Sequence, residues 1–166
     1  MTRPYGRGPR GERVVDSVPA GHWKITTFVC GLRHDGLVAP MTLDGALNGA
    51  AFLAYIDQVL APTLSPGDII VLDNLPTPGD FAARNAEVAG ARERVEACGA
   101  SLLYLPSYSP DLNPIEQAFA KLKALLRKAA VRTIEGLWDA IGSVLAQFSP
   151  DECANYLANS GYPRSA

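Results

Sequence analysis

The stretch Leu105-Pro106-Ser107-Tyr108-Ser109-Pro110-Asp111-Leu112-Asn113-Pro114-Ile115-Glu116 joins a proline-punctuated loop to the start of an amphipathic helix. Asn113 suits the N-cap of that helix, and Pro114 suits its first position, where the missing N–H costs nothing. Glu116 therefore falls in the first helical turn, next to an apolar stripe that recurs with helical spacing. The stripe consists of Ile115, Ala118, Phe119, Leu122, Leu125, Leu126 and Ala129.

A second acidic residue follows an apolar run upstream of this loop. Residues 69–72 are Ile-Ile-Val-Leu, which predicts a short strand buried on both faces of a parallel or mixed sheet. Asp73 comes directly after it, at the carboxyl end of the strand, where open α/β sheets place their sites. Residues 81–97 are expected to form an outer helix capped by Asp80, and residues 101–105 a second strand. The order strand, helix, strand predicts a parallel unit with a right-handed crossover.

The remaining sequence predicts one α/β domain over residues 1–166. Residues 1–22 are rich in Arg, Gly and Pro and are expected to form a basic arm or loop. Residues 24–33 and 37–43 predict two strands, joined by a tight turn at His34-Asp35-Gly36 in which Asp-Gly favours positive φ. Helices are predicted over residues 50–60, 134–147 and 151–157.

Composition limits the class of protein. Of the 166 residues, 48% are apolar and 19% are charged, which is typical of a globular domain and not of a disordered chain. No apolar run approaches the length of a membrane-spanning helix, and the basic N-terminus lacks the apolar segment of a secretory signal. Three widely spaced cysteines fit neither a disulfide framework nor a zinc site, so we expect a reducing, cytoplasmic environment.

The charge distribution favours contact with a phosphate backbone more than the net charge of −2 does. Residues 121–132 hold five basic side chains and no acid, and the N-terminal arm is also basic. The alternative is a solvated helix face beside a frayed arm. The candidate DNA contacts are Lys121, Lys123, Arg127, Lys128, Arg3, Arg7 and Arg10.

Asp73 and Glu116 are the candidate catalytic and metal-ligating residues. Hard cations such as Mg²⁺ take oxygen ligands, and two such ions can activate a nucleophile and stabilise a leaving oxygen in phosphoryl transfer. Asn74 could hold a metal-bound water or a phosphate oxygen, and Asn113 would fix the start of the helix that carries Glu116. Taken singly, each acid also has a structural interpretation, as a turn former or a helix-capping residue.

These motifs resemble the DDE catalytic domain of insertion-sequence transposases in the mariner superfamily. The resemblance rests on residues 71–75, 105–116 and 119–123, and it extends over residues 3–162. It implies an RNase H-like fold, in which helices flank a mixed five-stranded sheet. It also implies three acidic ligands, Mg²⁺ or Mn²⁺, and the cutting and joining of DNA at element ends. By motif, Asp73 matches the second acid and Glu116 the third.

The chain departs from the family pattern in its first acid. In the family that Asp lies on the first, central strand, upstream of the Arg/Gly-rich segment with which this chain begins. Asp16, Asp35 and Asp44 are poor substitutes, because they lie in the arm or precede glycine in turns. The family's frequent His after the Asp-Asn pair is also missing, the interval from Asp73 to Glu116 is longer than usual, and no helix-turn-helix region precedes the domain.

We therefore expect a transposase catalytic-domain fragment that lacks the first strand and its Asp and is inactive alone. Its expected partners are DNA, at transposon ends and target, and either an upstream transposase half or a second copy. Its expected location is the bacterial cytoplasm, at the nucleoid. The alternatives are a non-catalytic DNA-binding or regulatory remnant of a transposase, and an expressed remnant without function.

Overall fold

The computed structural model describes residues 7–15, 24–73, 81–106 and 108–162, with the backbone alone for residues 81–87. Residues 7–15 contain a turn around Pro9 to Gly11 and no regular element. The strands are β1 (Thr26–Arg33), β2 (Gly36–Asp44), β3 (Ile69–Leu72) and β4 (Ser101–Tyr104). The helices are α1 (Gly49–Tyr55), α2 (Phe81–Ala97), α3 (Ile115–Ala129), α4 (Ile134–Leu145) and α5 (Pro150–Asn159).

The predicted hairpin is confirmed as the antiparallel pair β1–β2. Its turn consists of His34 and Asp35, while Gly36 already belongs to β2, and none of the three has the expected positive φ. The positive φ lies instead at Ala39, with a value of 51°, where Ala39 and Pro40 together face Cys30 in a bulge. A bulge increases the local right-handed twist of a strand pair. The hairpin therefore matches that twist without a type I′ or II′ turn, the turn types whose residues have positive φ.

The predicted parallel unit is also confirmed, since β3 and β4 are parallel and α2 connects them. The expectation that residues 69–72 are buried on both faces is wrong. Ile70 and Leu72 pack into a core with α1 and α2, whereas Ile69 is 67% exposed and Leu103 of β4 is 52% exposed. Among the described residues, only one face of the β3–β4 pair is covered by other elements. The opposite face, which the apolar run predicted to be buried as well, is partly exposed to solvent.

The mixed α/β class expected for an RNase H-like domain is confirmed, but the described strands form two sheets of two strands each, β1–β2 and β3–β4. One apolar core joins the inner faces of both sheets to α1, α2 and the turns that follow α1, which are a π-helical turn (Ile56–Leu60) and a 3₁₀ turn (Ala61–Thr63). A second core joins the opposite face of β1–β2 to α3, α4 and α5.

The apolar stripe after Pro114 is the buried face of α3. Ala118, Leu122 and Leu126 are buried, and Phe119 packs edge-on against Phe28 of β1 with ring centroids 6.0 Å apart. The predicted N-cap, Asn113, is wrong by one residue. Pro114 occupies the N-cap position, and Asn113 precedes it. A 3₁₀ turn (Pro110–Leu112) leads into the helix, and backbone carbonyls take the first free N–H groups in place of a side-chain cap.

None of the helices in the described ranges combines the length and apolar character needed to cross a bilayer.

Candidate functional site

Asp73 stands where the sequence placed it, directly after β3. It is half-buried and lines a cavity of about 820 Å³. The start of α3 borders the same cavity through Asn113, Pro114 and Ile115. The strand-end acid and the proline-rich loop, 40 residues apart along the chain from Asp73 to Asn113, therefore meet at one cavity.

Glu116 lies just outside the cavity wall, in the first turn of α3, and its side chain is exposed. Its backbone N–H donates to the carbonyl of Asn113 over 3.3 Å, so the residue that lines the cavity and the carboxylate share one helical turn. A carboxylate in a first turn is also stabilised by the helix dipole, by about 0.3–1 kcal/mol.

The C-terminal helix fixes the position of this turn. Gln117, next to Glu116, donates through Nε2 to the Tyr156 carbonyl at 3.4 Å and to Ser160 Oγ at 3.3 Å. The Tyr162 hydroxyl donates to the Leu112 carbonyl at 2.9 Å, just before α3. Contacts on both sides of Glu116 thus hold the helix start against α5, while the carboxylate itself faces solvent.

The donor chemistry at this end of the cavity fits a hard divalent cation, because Asp73 and Glu116 offer carboxylate oxygens. Within the described part of the chain, however, no three His, Cys, Asp or Glu side chains lie close enough to hold a metal ion.

The cavity also contains a thiol that is unsuited to chemistry. Cys30 of β1 lines the wall, and burial raises the pKa of its thiol to about 12. A thiol with such a pKa stays protonated at neutral pH, and only the thiolate is a good nucleophile or metal ligand. Cys30 therefore acts as a small apolar side chain here.

The basic residues predicted on α3 divide into two groups. Lys123, Arg127 and Lys128 are exposed along the helix and can reach an external phosphate backbone. Lys121 is instead half-buried and paired with α5 and the segment before it: its ammonium donates to Glu152 at 2.5 Å and to the Gln147 carbonyl at 2.8 Å, and it lies 4.5 Å from the centre of the Phe148 ring. A contact between Lys121 and a DNA phosphate would therefore have to compete with these bonds.

Arg7 and Arg10 of the predicted arm are exposed. Arg3, Asn74 and the proposed cap Asp80 lie outside the described residues, so their predicted roles remain predictions.

The sequence interpretation missed the partner of Lys121. The signal for it was the pattern Ser149-Pro150-Asp151-Glu152, a helix start in which Ser149 Oγ accepts the Glu152 N–H at 3.3 Å and brings that carboxylate to the first turn of α5.

A family model described as DDE superfamily endonuclease matches residues 1–137, and so includes both Asp73 and Glu116. No curated protein matches the chain.

Proposed function

Because the chain belongs to the DDE superfamily of endonucleases, we propose that it serves DNA transposition as the catalytic part of a transposase that cleaves DNA and transfers strands. The observation that supports this most is the meeting of Asp73 and the start of α3 at one cavity. Mariner-superfamily insertion sequences are the proposed source of such a domain, and the nucleoid of a bacterial cytoplasm is its proposed place of action.

Asp73 and Glu116 are the proposed ligands of Mg²⁺ or Mn²⁺. When bound, such ions would activate the attacking oxygen and stabilise the leaving oxygen. The role of the chain is to hold two oxygen donors on rigid elements: Asp73 at the end of a strand and Glu116 on a helix start anchored to α5. Asn74 and Asn113 are proposed to orient water or phosphate oxygens beside them.

A third acidic ligand is proposed to come from a polypeptide segment outside the described residues, either an upstream transposase half or a second copy of the chain. This proposal follows from the two-carboxylate site, since three acids normally fix the metal pair in the family. The chain alone is then expected to show little or no cleavage.

DNA is proposed to lie along the exposed side of α3, on Lys123, Arg127 and Lys128. The exposed Arg7 and Arg10 of the arm, together with Arg3, would add backbone contacts. Such contacts fix position and carry no sequence information. The ends that the enzyme recognises would then be selected by other parts of a full transposase.

A cleavage assay tests the proposal. The chain is incubated with Mn²⁺ and DNA that carries the sequences flanking its gene, alone and with the polypeptide encoded directly upstream of Met1. Cleavage is expected only with both polypeptides. It should fall by roughly 100-fold in Asp73→Asn and in Glu116→Gln and stay within about twofold in the control Asp111→Asn, an exposed acid of the same loop. Full cleavage by the two site variants would contradict the proposal.

The second candidate is a non-catalytic DNA-binding or regulatory remnant that competes with a full-length transposase. The incomplete set of acids in the described ranges favours it. It predicts DNA binding that survives Asp73→Ala and Glu116→Ala, together with no metal-dependent cleavage under any of the conditions above.

A further inference from the structure

The first turn of α3 has no side-chain cap. Pro114 occupies the N-cap position, and the N–H groups of Glu116 and Gln117 donate to the carbonyls of Asn113 and Pro114 at 3.3 and 3.2 Å. Helix ends fray, and a capping side chain contributes about 0.5–2 kcal/mol against fraying. The carboxylate of Glu116 is exposed, so its position depends on how firmly the backbone of this uncapped turn is held.

The side chain of Gln117 holds the turn against the end of α5. Its Nε2 donates to the Tyr156 carbonyl at 3.4 Å and to Oγ of Ser160, a buried residue, at 3.3 Å. Its Oε1 accepts from Nδ2 of Asn159 at 3.3 Å. Both ends of the amide are therefore bonded, and the amide cannot turn in either direction without losing a bond.

Tyr162 provides a second contact, on the other side of Glu116. Its hydroxyl donates to the Leu112 carbonyl at 2.9 Å, and its ring lines the same cavity as Asp73. Glu116 thus lies between two contact points, Leu112 and Gln117, and both are bonded to the segment formed by α5 and the residues directly after it.

Helix geometry makes these contacts decisive for the direction of the carboxylate. Neighbouring residues of a helix point about 100° apart, so the orientation of Gln117 toward α5 sets that of Glu116. A side chain ends roughly 5–6 Å from the helix axis, so a rotation of about 20° would move a carboxylate by about 2 Å. The apolar contacts of Ala118 and Leu122 are not directional and resist such a rotation less sharply than hydrogen bonds do.

We propose that Gln117 and Tyr162 are positioning residues of the candidate metal site. They hold the start of α3 in the rotation at which the Glu116 carboxylate and Asp73 can bind the same ion. Neither residue is a metal ligand, and each acts through the backbone of the first turn. The inference rests on the proposed function, because it requires Asp73 and Glu116 to bind the metal.

The affinity of the full chain for Mn²⁺, measured from the electron paramagnetic resonance signal of the free ion, tests the inference. Gln117→Met keeps the length of the side chain and removes its amide, and Tyr162→Phe removes only a hydroxyl. Each should raise the Kd for Mn²⁺ by roughly tenfold, the size of effect that follows loss of a residue that orients a ligand. Wild-type affinity in both variants would overturn the inference.

Lys121→Met is the matched control. Lys121 lies one helical turn after Gln117 and also joins α3 to α5, through its bond to Glu152. This variant loosens the contact between the two helices but leaves the bonds of the first turn in place. With all variants folded by circular dichroism, its Kd should stay within about twofold of the wild type. Equal weakening in Lys121→Met and Gln117→Met would overturn the inference, because general loosening of α5 would then explain both.

The double variant Asp73→Asn/Glu116→Gln distinguishes failure of this inference from failure of the proposed function. If that variant loses Mn²⁺ binding while Gln117→Met binds like the wild type, the metal site stands and only the positioning role is overturned. If the wild type and the double variant bind Mn²⁺ equally, or neither binds it, the metal site is overturned and the positioning role with it.

Discussion

The guanidinium of Arg33, at the end of β1, bonds the carboxylate of Asp68, just before β3, with Nη1 and Oδ1 3.2 Å apart. The Arg33 Nη2 also donates to the Thr63 carbonyl at 3.1 Å, and the Ser65 N–H donates to Asp68 at 2.8 Å. This cluster ties the two sheets together at the cavity end remote from Asp73. It connects strand pairs that share no backbone ladder in the described part of the chain.

The Arg33–Asp68 pair predicts a pH-dependent contribution to stability. The hydrogen bond from Arg33, aided by the Ser65 N–H, lowers the pKa of Asp68 below its ordinary value. Both side chains are partly exposed, so Asp68→Asn is expected to cost only about 0.2–1 kcal/mol at pH 7. Because the folded-state pKa is the lower one, this contribution is complete above the unfolded pKa of about 3.9 and is lost as pH falls through the folded value.

Urea unfolding of the wild type and Asp68→Asn from pH 7 to pH 3 measures this difference. The gap between the two unfolding free energies should narrow as the pH falls below about 3.9. Asp139→Asn, an exposed acid on α4, is the control and should differ little from the wild type throughout. A constant gap between the wild type and Asp68→Asn at every pH would contradict the assignment.

Two lysines on α3 are predicted to have opposite roles. Glu152 accepts from Lys121 and from the Tyr156 hydroxyl, each at 2.5 Å. Burial alone would raise the pKa of Glu152, but these two bonds lower it overall. Lys121→Met should therefore destabilise the domain by about 1–2 kcal/mol, since it removes bonds to a half-buried charge. Lys123→Met, two residues away and exposed, should change stability by less than about 0.5 kcal/mol.

Chemical denaturation gives both values, and a DNA-binding assay on the same two proteins completes the comparison. Lys123→Met should weaken binding and Lys121→Met should not, provided that the latter is measured where it is folded. The reverse pattern would contradict the structural role assigned to Lys121.

The exposed cations of α3 predict the salt dependence of DNA binding. Each phosphate neutralised contributes about 0.9 to the slope of log affinity against log salt. Changing Lys123, Arg127 and Lys128 together to Gln should lower the magnitude of that slope by about 2–3, one step for each lost contact. Fluorescence anisotropy across a salt series measures it, with Arg92→Gln on α2, a residue already paired with Glu96, as the control. An unchanged slope in the triple variant would exclude this helix face as the DNA track.

Helix α3 ends with a backbone conformation that favours glycine. Ala130 has a φ of 52° and a ψ of 29°, in the left-handed region that a Cβ disfavours. Ala130→Gly should stabilise the domain by about 0.5–1 kcal/mol, because glycine adopts this conformation without the steric cost. Ala129→Gly, at the last helical residue, should destabilise it by a similar amount. Thermal unfolding of the two variants checks both signs, and destabilisation by Ala130→Gly would contradict the backbone assignment.

Local patterns in the sequence were sufficient for most of the elements. The stripe after Pro114 predicted the buried face of α3, and the apolar run before Asp73 predicted a strand followed by an acid, because both depend on side-chain periodicity. Two-sided burial of β3 was not correctly predicted, since burial depends on which neighbouring strands and helices cover each face. The predicted Asn113 cap was misplaced by one residue, because the first helical N–H groups donate to the backbone carbonyls of Asn113 and Pro114 and not to a capping side chain.

The candidate site was only partly predictable. The strand-end position of Asp73 and the helix-start position of Glu116 each follow from a local motif, and a cavity that borders both elements is the new information from the structure. The engagement of Lys121 depends on Glu152, 31 residues further along the chain, and a charge run on one helix does not indicate a partner on another. The arrangement of the described strands as two separate pairs is likewise a property of strand order, which periodicity does not encode.

The most direct test of the account is paramagnetic broadening of backbone amide NMR signals by Mn²⁺, because it locates the metal without requiring activity. With millimolar Mn²⁺, broadening should centre on Asp73 and residues 113–117, and it should disappear in the double variant Asp73→Asn/Glu116→Gln. The control Asp151→Asn/Glu135→Gln, which removes two exposed acids from other helices, should broaden as the wild type does. Broadening centred elsewhere, or unchanged in the Asp73/Glu116 variant, would contradict the claim that these two carboxylates hold the metal.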